Sequence, residues 1–112
     1  MDLQKLRVYV KSQDLLSEVI ALTRQLPPGM GWLGDQARRS AGSVPLNVAE
    51  GWSRPSPRER KRAYAIAIGS AHEAAACVEV MHRLGILSRE GFLALWDGYD
   101  HITRMLARLG RT

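Results

Sequence analysis

The stretch Ser56 to Gly85, SPRERKRAYAIAIGSAHEAAACVEVMHRLG, decides the fold. It opens with a helix start signal: Ser56 as N-cap, Pro57 at the first helical position and Glu59 placed to close a capping box. Ala63, Ala67, Ser70, Ala74, Cys77, Met81 and Leu84 then recur at alternating steps of four and three, which predicts a helix over 57–84 that Gly85 ends. Most of that stripe is small, so another backbone can approach closely. A second apolar stripe, Tyr64, Ile68, Ala71, Ala75 and Val78, flanks it, and Ala65, Gly69 and Ala76 occupy even the outer strip. A helix apolar over most of its surface needs wide cover, so this one predicts self-association.

Working outward, the same periodicity recurs on both sides. Val8, Leu15, Val19, Leu22 and Leu26, with Ser12 in register, predict a helix over 3–26 that Leu-Pro-Pro-Gly-Met-Gly at 26–31 stops. A second helix is expected over 33–54, with Leu33, Ala37, Ser40, Val44, Val48 and Gly51 on its inner face and Pro45 inside, where a kink is expected. Beyond Gly85, Ser88 caps a fourth helix over 88–110 carrying Phe92, Leu95, Tyr99, Ile102, Leu106 and Leu109. No stretch alternates with the period of a strand. Four amphipathic helices on short connections predict an all-α chain: one domain, 1–112, folded as an antiparallel up-down-up-down bundle.

Composition narrows the function classes. A chain of 112 residues, 46% of them hydrophobic, has material for one core. Cys77 is the single cysteine, so neither an intrachain disulfide nor a thiolate zinc set is expected. The longest apolar run, Ala63 to Ala71, is too short for a bilayer, and the start MDLQKL lacks a signal pattern; a soluble cytoplasmic protein is expected, with no membrane partner. A net charge of +5 favours anionic partners.

The segment Arg38-Arg39-Ser40-Ala41-Gly42-Ser43-Val44-Pro45-Leu46-Asn47-Val48-Ala49-Glu50-Gly51 resembles the signature of a family of small bacterial four-helix bundle proteins. The family is named for members encoded in intervening sequences of large-subunit ribosomal RNA genes, and is related to accessory proteins of diversity-generating retroelements. Arg39, Ser43, Pro45, Asn47, Glu50 and Gly51 carry the match; Gly69-Ser70, Glu73, Glu79 and Arg83-Leu84-Gly85 extend it in the family's order and spacing. The chain departs from the pattern at Tyr9, at Ala71-His72 and at Gly29-Met30-Gly31-Trp32. The resemblance implies a homopentameric ring of bundles, a suspected nucleic-acid or ribonucleoprotein role, and no catalysis.

Charge placement gives that role residues. An antiparallel bundle collects the start of helix one, the turn between helices two and three, and the end of helix four at one pole. Lys5, Arg7, Lys11, Arg54, Arg58, Arg60, Lys61, Arg62, Arg104, Arg108 and Arg111 would converge there, against only Asp2, Glu50 and Glu59. Cations in the first turns of helix three oppose its dipole, so stability alone does not explain them, and with free amides beside them they form a candidate phosphate corner. The bland alternatives are a solvated face or charge-guided docking between subunits.

Other groupings are weaker. Asn47, Glu50 and Arg54 share a face beyond Pro45 and read as structural, Ser43 or Asn47 satisfying groups freed by the proline and Glu50 pairing an arginine across a helix or subunit interface. Glu79 and His82 have di-iron spacing, but Cys77 and Met81 on the core face turn Glu79 outward, so no metal and no cofactor is expected. Trp32, Trp52 and Trp96 read as core caps or interface anchors rather than base-stacking platforms. No catalytic motif is present, and the expectation is a non-catalytic, sequence-nonspecific RNA or DNA backbone binder; the alternative is a protein-interaction scaffold, for example an accessory subunit of a reverse transcriptase or a ribonucleoprotein.

Overall fold

The structure, a computed structural model, describes residues 2–112. A short 3-10 turn, Leu3–Lys5, precedes helices α1 (Arg7–Thr23), α2 (Gly31–Ser53), α3 (Pro57–Arg83) and α4 (Arg89–Leu109), with no strand among the described residues. The first helix is shorter than its apolar spacing implies. Leu6 is extended (φ −82°, ψ 110°), which separates the turn from α1, and at the far end the last amides fold back onto Ala21, Leu22 and Thr23 before Pro27. Gly31 and Trp32 join α2, and Arg54 falls just outside it.

Start and stop chemistry explains the other boundaries. Ser56 Oγ accepts from the Glu59 amide at 3.1 Å and donates to Glu59 Oε2 at 2.8 Å, so the glutamate returns to the serine hydroxyl rather than to its backbone amide. At the end of α3, Gly85 takes φ +82°, its N–H bonding to His82 O and that of Ile86 to Met81 O, a left-handed stop that a side chain would strain. Ser88 Oγ accepts from the Gly91 amide to begin α4.

Pairings between helices set their directions. Ser43 meets Ser70 and Gly51 meets Tyr64, so numbering rises on α2 as it falls on α3. His82 stacks on Phe92 while Tyr64 reaches Gly110, which makes α4 antiparallel to α3. Leu15 packs on Gly98, and Val8 shares a groove with Met105 and Leu109, which sets α1 against α4. Each helix packs on its chain neighbours and α1 closes on α4.

Val19, Val44, Val48, Val78, Met81, Ile102 and Leu106 lie at 0% exposure in the centre. Most of both α3 stripes is covered inside one chain: Tyr64, Ala71, Ala75 and Val78 are buried like Ala67 and Ala74, while Ile68 is half-buried. This weakens the sequence-based argument for self-association, because Tyr64 of the second stripe packs on Gly51 of α2 and Ala75 lies beside Trp96 and Tyr99 of α4. Leu84, expected inside, is 46% exposed, and Ser70 is only half-buried. α2 runs on through Pro45, which is buried.

The tightest approach joins α2 to α3. A β-carbon on Gly51 would lie 2.5 Å from Tyr64 Cε1 and 2.8 Å from Cδ1, and the ring, 2% exposed, has nowhere to go. One on Gly98 would meet Leu15 Cδ2 at 2.9 Å, the end of a side chain that can rotate. Gly51→Ala should therefore lower the unfolding free energy by about 1–3 kcal/mol. Gly98→Ala, where the ~1 kcal/mol helix-propensity gain opposes a softer clash, should stay within about 1 kcal/mol of the parent; urea melts of both variants check this.

Candidate nucleic-acid interface

Three separated segments meet at one pole, and Tyr64 is where two of them join. Its ring lies against Gly51 near the end of α2 and within 3.9 Å of the position a β-carbon of Gly110 would take, beyond the end of α4. The turn before α1 reaches the same region, since Lys5, Leu6, Arg7 and Val8 line a groove with Met105, Arg108 and Leu109. The pole thus gathers Lys5, Arg7 and Lys11 from the first segment, Arg54, Arg58, Arg60, Lys61 and Arg62 from the second, and Arg104, Arg108 and Arg111 from the third. All are exposed except Lys11 and Arg60, which are half-buried.

Their partners differ. Arg54 pairs with Glu50 at 2.8 Å, which raises the guanidinium pKa chiefly through the hydrogen bond, and Arg104 pairs with Asp100 at 2.6 Å. The others enter no ion pair among the described residues. Arg60 is committed in another way: Nη1 donates to the carbonyls of Arg54 (3.1 Å) and Pro55 (2.9 Å), pinning the α2–α3 turn. The free amides expected at the start of α3 are mostly spent, because Pro57 has no N–H and the Glu59 amide is held by Ser56. Arg58 alone among the first three helical residues keeps one. The phosphate corner is a set of side-chain cations rather than a backbone cradle.

The motif on α2 forms a polar seam with α3. Asn47 Nδ2 donates to Ser43 O and Ser43 Oγ, both at 2.9 Å, and Ser70 Oγ donates to Ser43 Oγ at 2.8 Å. Ser43 itself is what these groups satisfy, not a carbonyl freed by Pro45. Glu50 pairs within its own helix, with Arg54, rather than across an interface as expected. Asn47, Glu50, Arg54, Glu59, Arg62 and Ile66 line a hollow of about 380 Å³ on this seam. Arg39 and Glu73 are exposed, and neither enters an ion pair among the described residues.

Elsewhere the chemistry is muted. No group of three or more His, Cys, Asp or Glu among the described residues could hold a metal ion, and Glu79 is half-buried. Burial pushes the Cys77 thiol up, against a smaller lowering by the neighbouring Ser40. Tyr99 carries a buried hydroxyl with no partner among the described residues, and burial drives its pKa well above the usual phenol value. Trp32 (59% exposed), Trp52 and Trp96 are not core caps; Trp96 tilts against Phe92, itself stacked on His82. No helix among the described residues is long and apolar enough to cross a membrane.

Sequence spacing placed Val8 and Leu109 on inner faces but did not single out Leu6 and Met105, which complete the apolar floor of the groove at the pole. Met105 and Leu109, four apart on α4, were the available signal, but the extended backbone at Leu6 that opens the groove has no signature in residue order.

Comparison with known proteins agrees with the fold. A family model described as 23S rRNA-intervening sequence protein matches residues 4–108. The crystal structure of a protein of unknown function from the S23 ribosomal protein family of Bacteroides thetaiotaomicron superposes with a TM-score of 0.83; it is 21% identical, over 94% of this chain and 99% of that one, a likeness of fold. No protein of curated function matches the sequence.

Arg58 and Arg60, neighbours on one helix, should respond in opposite ways to removal of charge. Arg60→Gln frees two carbonyls in the turn and should cost about 1 kcal/mol. Arg58→Gln, which relieves a cation at a helix N-terminus, should be neutral or stabilising by a few tenths to about 1 kcal/mol in low salt; thermal and urea melts distinguish them.

Proposed function

The chain belongs to the 23S rRNA-intervening sequence protein family, and from this and its basic pole we propose that it is a non-catalytic accessory protein that binds RNA or DNA through the phosphate backbone without sequence preference. What supports the reading is the convergence of cations from three segments on one pole, most of them exposed and unpaired among the described residues. At the start of α3, side chains that repel one another and are also opposed by the helix dipole gain from a polyanion what they lose in the free protein. The family is named for a ribosomal RNA element, so RNA is the first polyanion to try. The protein works in the cytoplasm as a ring of five copies, an assembly proposed from family resemblance.

Each phosphate neutralised releases counterions, so affinity should fall steeply with salt. Electrophoretic shifts with random RNA and DNA should appear at low salt and weaken by orders of magnitude toward about 200 mM. The variant Arg58→Gln, Lys61→Gln, Arg62→Gln leaves the turn-pinning Arg60 in place; it should bind about tenfold or more weakly, with a shallower salt dependence and the parent's helical circular dichroism. An absent shift, or one indifferent to salt, favours the rival reading of a protein-docking scaffold. Light scattering should give a mass of five chains; a monomer would remove the ring from the proposal.

A further inference from the structure

The grooves along the seam of α1 and α4 differ from the rest of the basic pole. The first, about 450 Å³, has an apolar floor of Leu6, Val8, Met105 and Leu109 and a rim of Lys5, Arg7 and Arg108. The second, about 370 Å³, shares Lys5, Arg7 and Met105 with it and continues past Val10, Lys11 and the exposed imidazole of His101; Asp14 is the one carboxylate lining it among the described residues. The two therefore form a single track. Apolar surface and a flat ring run along its floor, and cations with no ion-pair partner among the described residues stand along its edge. By contrast, Arg62 near the start of α3 lines the polar hollow of the Glu50–Arg54 seam, which offers Glu59 and Asn47.

We infer that this track receives the unstacked bases of a single-stranded nucleic acid, with Met105, Val10 and the His101 ring under the bases and Lys5, Arg7, Lys11 and Arg108 on the phosphates. The inference rests on the backbone-binding reading and narrows its substrate class. A duplex hides its bases and can meet only the cationic edge, leaving the floor in water. A flexible single strand can lay bases on the floor and phosphates on the rim together, the combination single-strand binders use. Each hollow is also large enough for a nucleotide-sized group.

Electrostatics alone would favour the other substrate. Double-stranded nucleic acid has the higher charge density and the steeper counterion release, so a purely cationic pole should hold a duplex at least as well. A preference for single strands is therefore diagnostic of base contact.

Fluorescence anisotropy with the full chain tests this using three probes at equal salt: a labelled twelve-nucleotide single-stranded RNA, its duplex, and a strand of the same length with abasic sites. The intact strand should bind about tenfold more tightly than the duplex, and the abasic strand should lose that advantage while keeping its salt dependence. His101→Ala, at an exposed position, and Met105→Ser should each bring the ratio of single-strand to duplex affinity toward one. Equal binding of all three probes overturns the inference and leaves backbone binding standing. Failure of every probe to bind at low salt overturns both. Tight binding of submicellar laurate or of an acidic amphipathic peptide that the RNA strand cannot displace would assign the track to another class of partner and also overturn it.

Discussion

The ring of Tyr64 against the bare backbone of Gly51 is the contact on which the rest of the molecule depends. Because Gly51 has no β-carbon, α3 approaches α2 closely, and the same ring reaches across to Gly110 after α4. One side chain thereby ties the ends of two helices to the start of a third. Above it, the Arg60 guanidinium holds the carbonyls of Arg54 and Pro55, so the turn between α2 and α3 is set by a charged group bonding backbone rather than by apolar packing. The basic pole is thus a rigid product of local geometry. Its cations are carried by elements whose separation is fixed before any partner arrives.

Small residues make this economy possible. Ala67, Ala71, Ala74 and Ala75 let α3 sit close to neighbours on both sides, and the bundle buries most of both apolar stripes within one chain. Close approach has a drawback: alanine supplies little apolar area, so the core relies on Val, Ile and Leu from the facing helices, with Val78 and Met81 of α3 itself. Polar groups at the edges of the core are mostly satisfied locally, Ser12, Thr23 and Ser40 bonding to carbonyls three or four residues back on their own helices. The Tyr99 hydroxyl is the exception among the described residues, and an unpaired buried hydroxyl costs about 1–3 kcal/mol.

The number and placement of helices were readable because periodicity and end signals agreed: Ser56 with Pro57, Gly85, and Ser88 each act where residue order put them. Convergence of the cationic segments was readable for the same reason, since antiparallel order determines which ends meet. Three things were not. The extended residue at Leu6 lies just before Val8, where the apolar stripe begins, and nothing in residue order marks it. The second stripe on α3 suggested an uncovered surface because periodicity shows how much of a helix is apolar, not how wide its neighbours are. Partners of individual charges were the least legible: Glu50 turns to Arg54 on its own helix, and Arg60 to backbone, choices made by rotamers and turn geometry that sequence distance does not encode.

The lopsided distribution of charge has a kinetic meaning as well. In a molecule 44 Å long and little more than 20 Å across, cations concentrated at one tip give a large permanent moment, so an approaching polyanion exerts a torque before contact. The protein would arrive tip first. Productive encounters would then be frequent in dilute electrolyte and rarer as ions shorten the reach of the field, independent of how long each complex lasts.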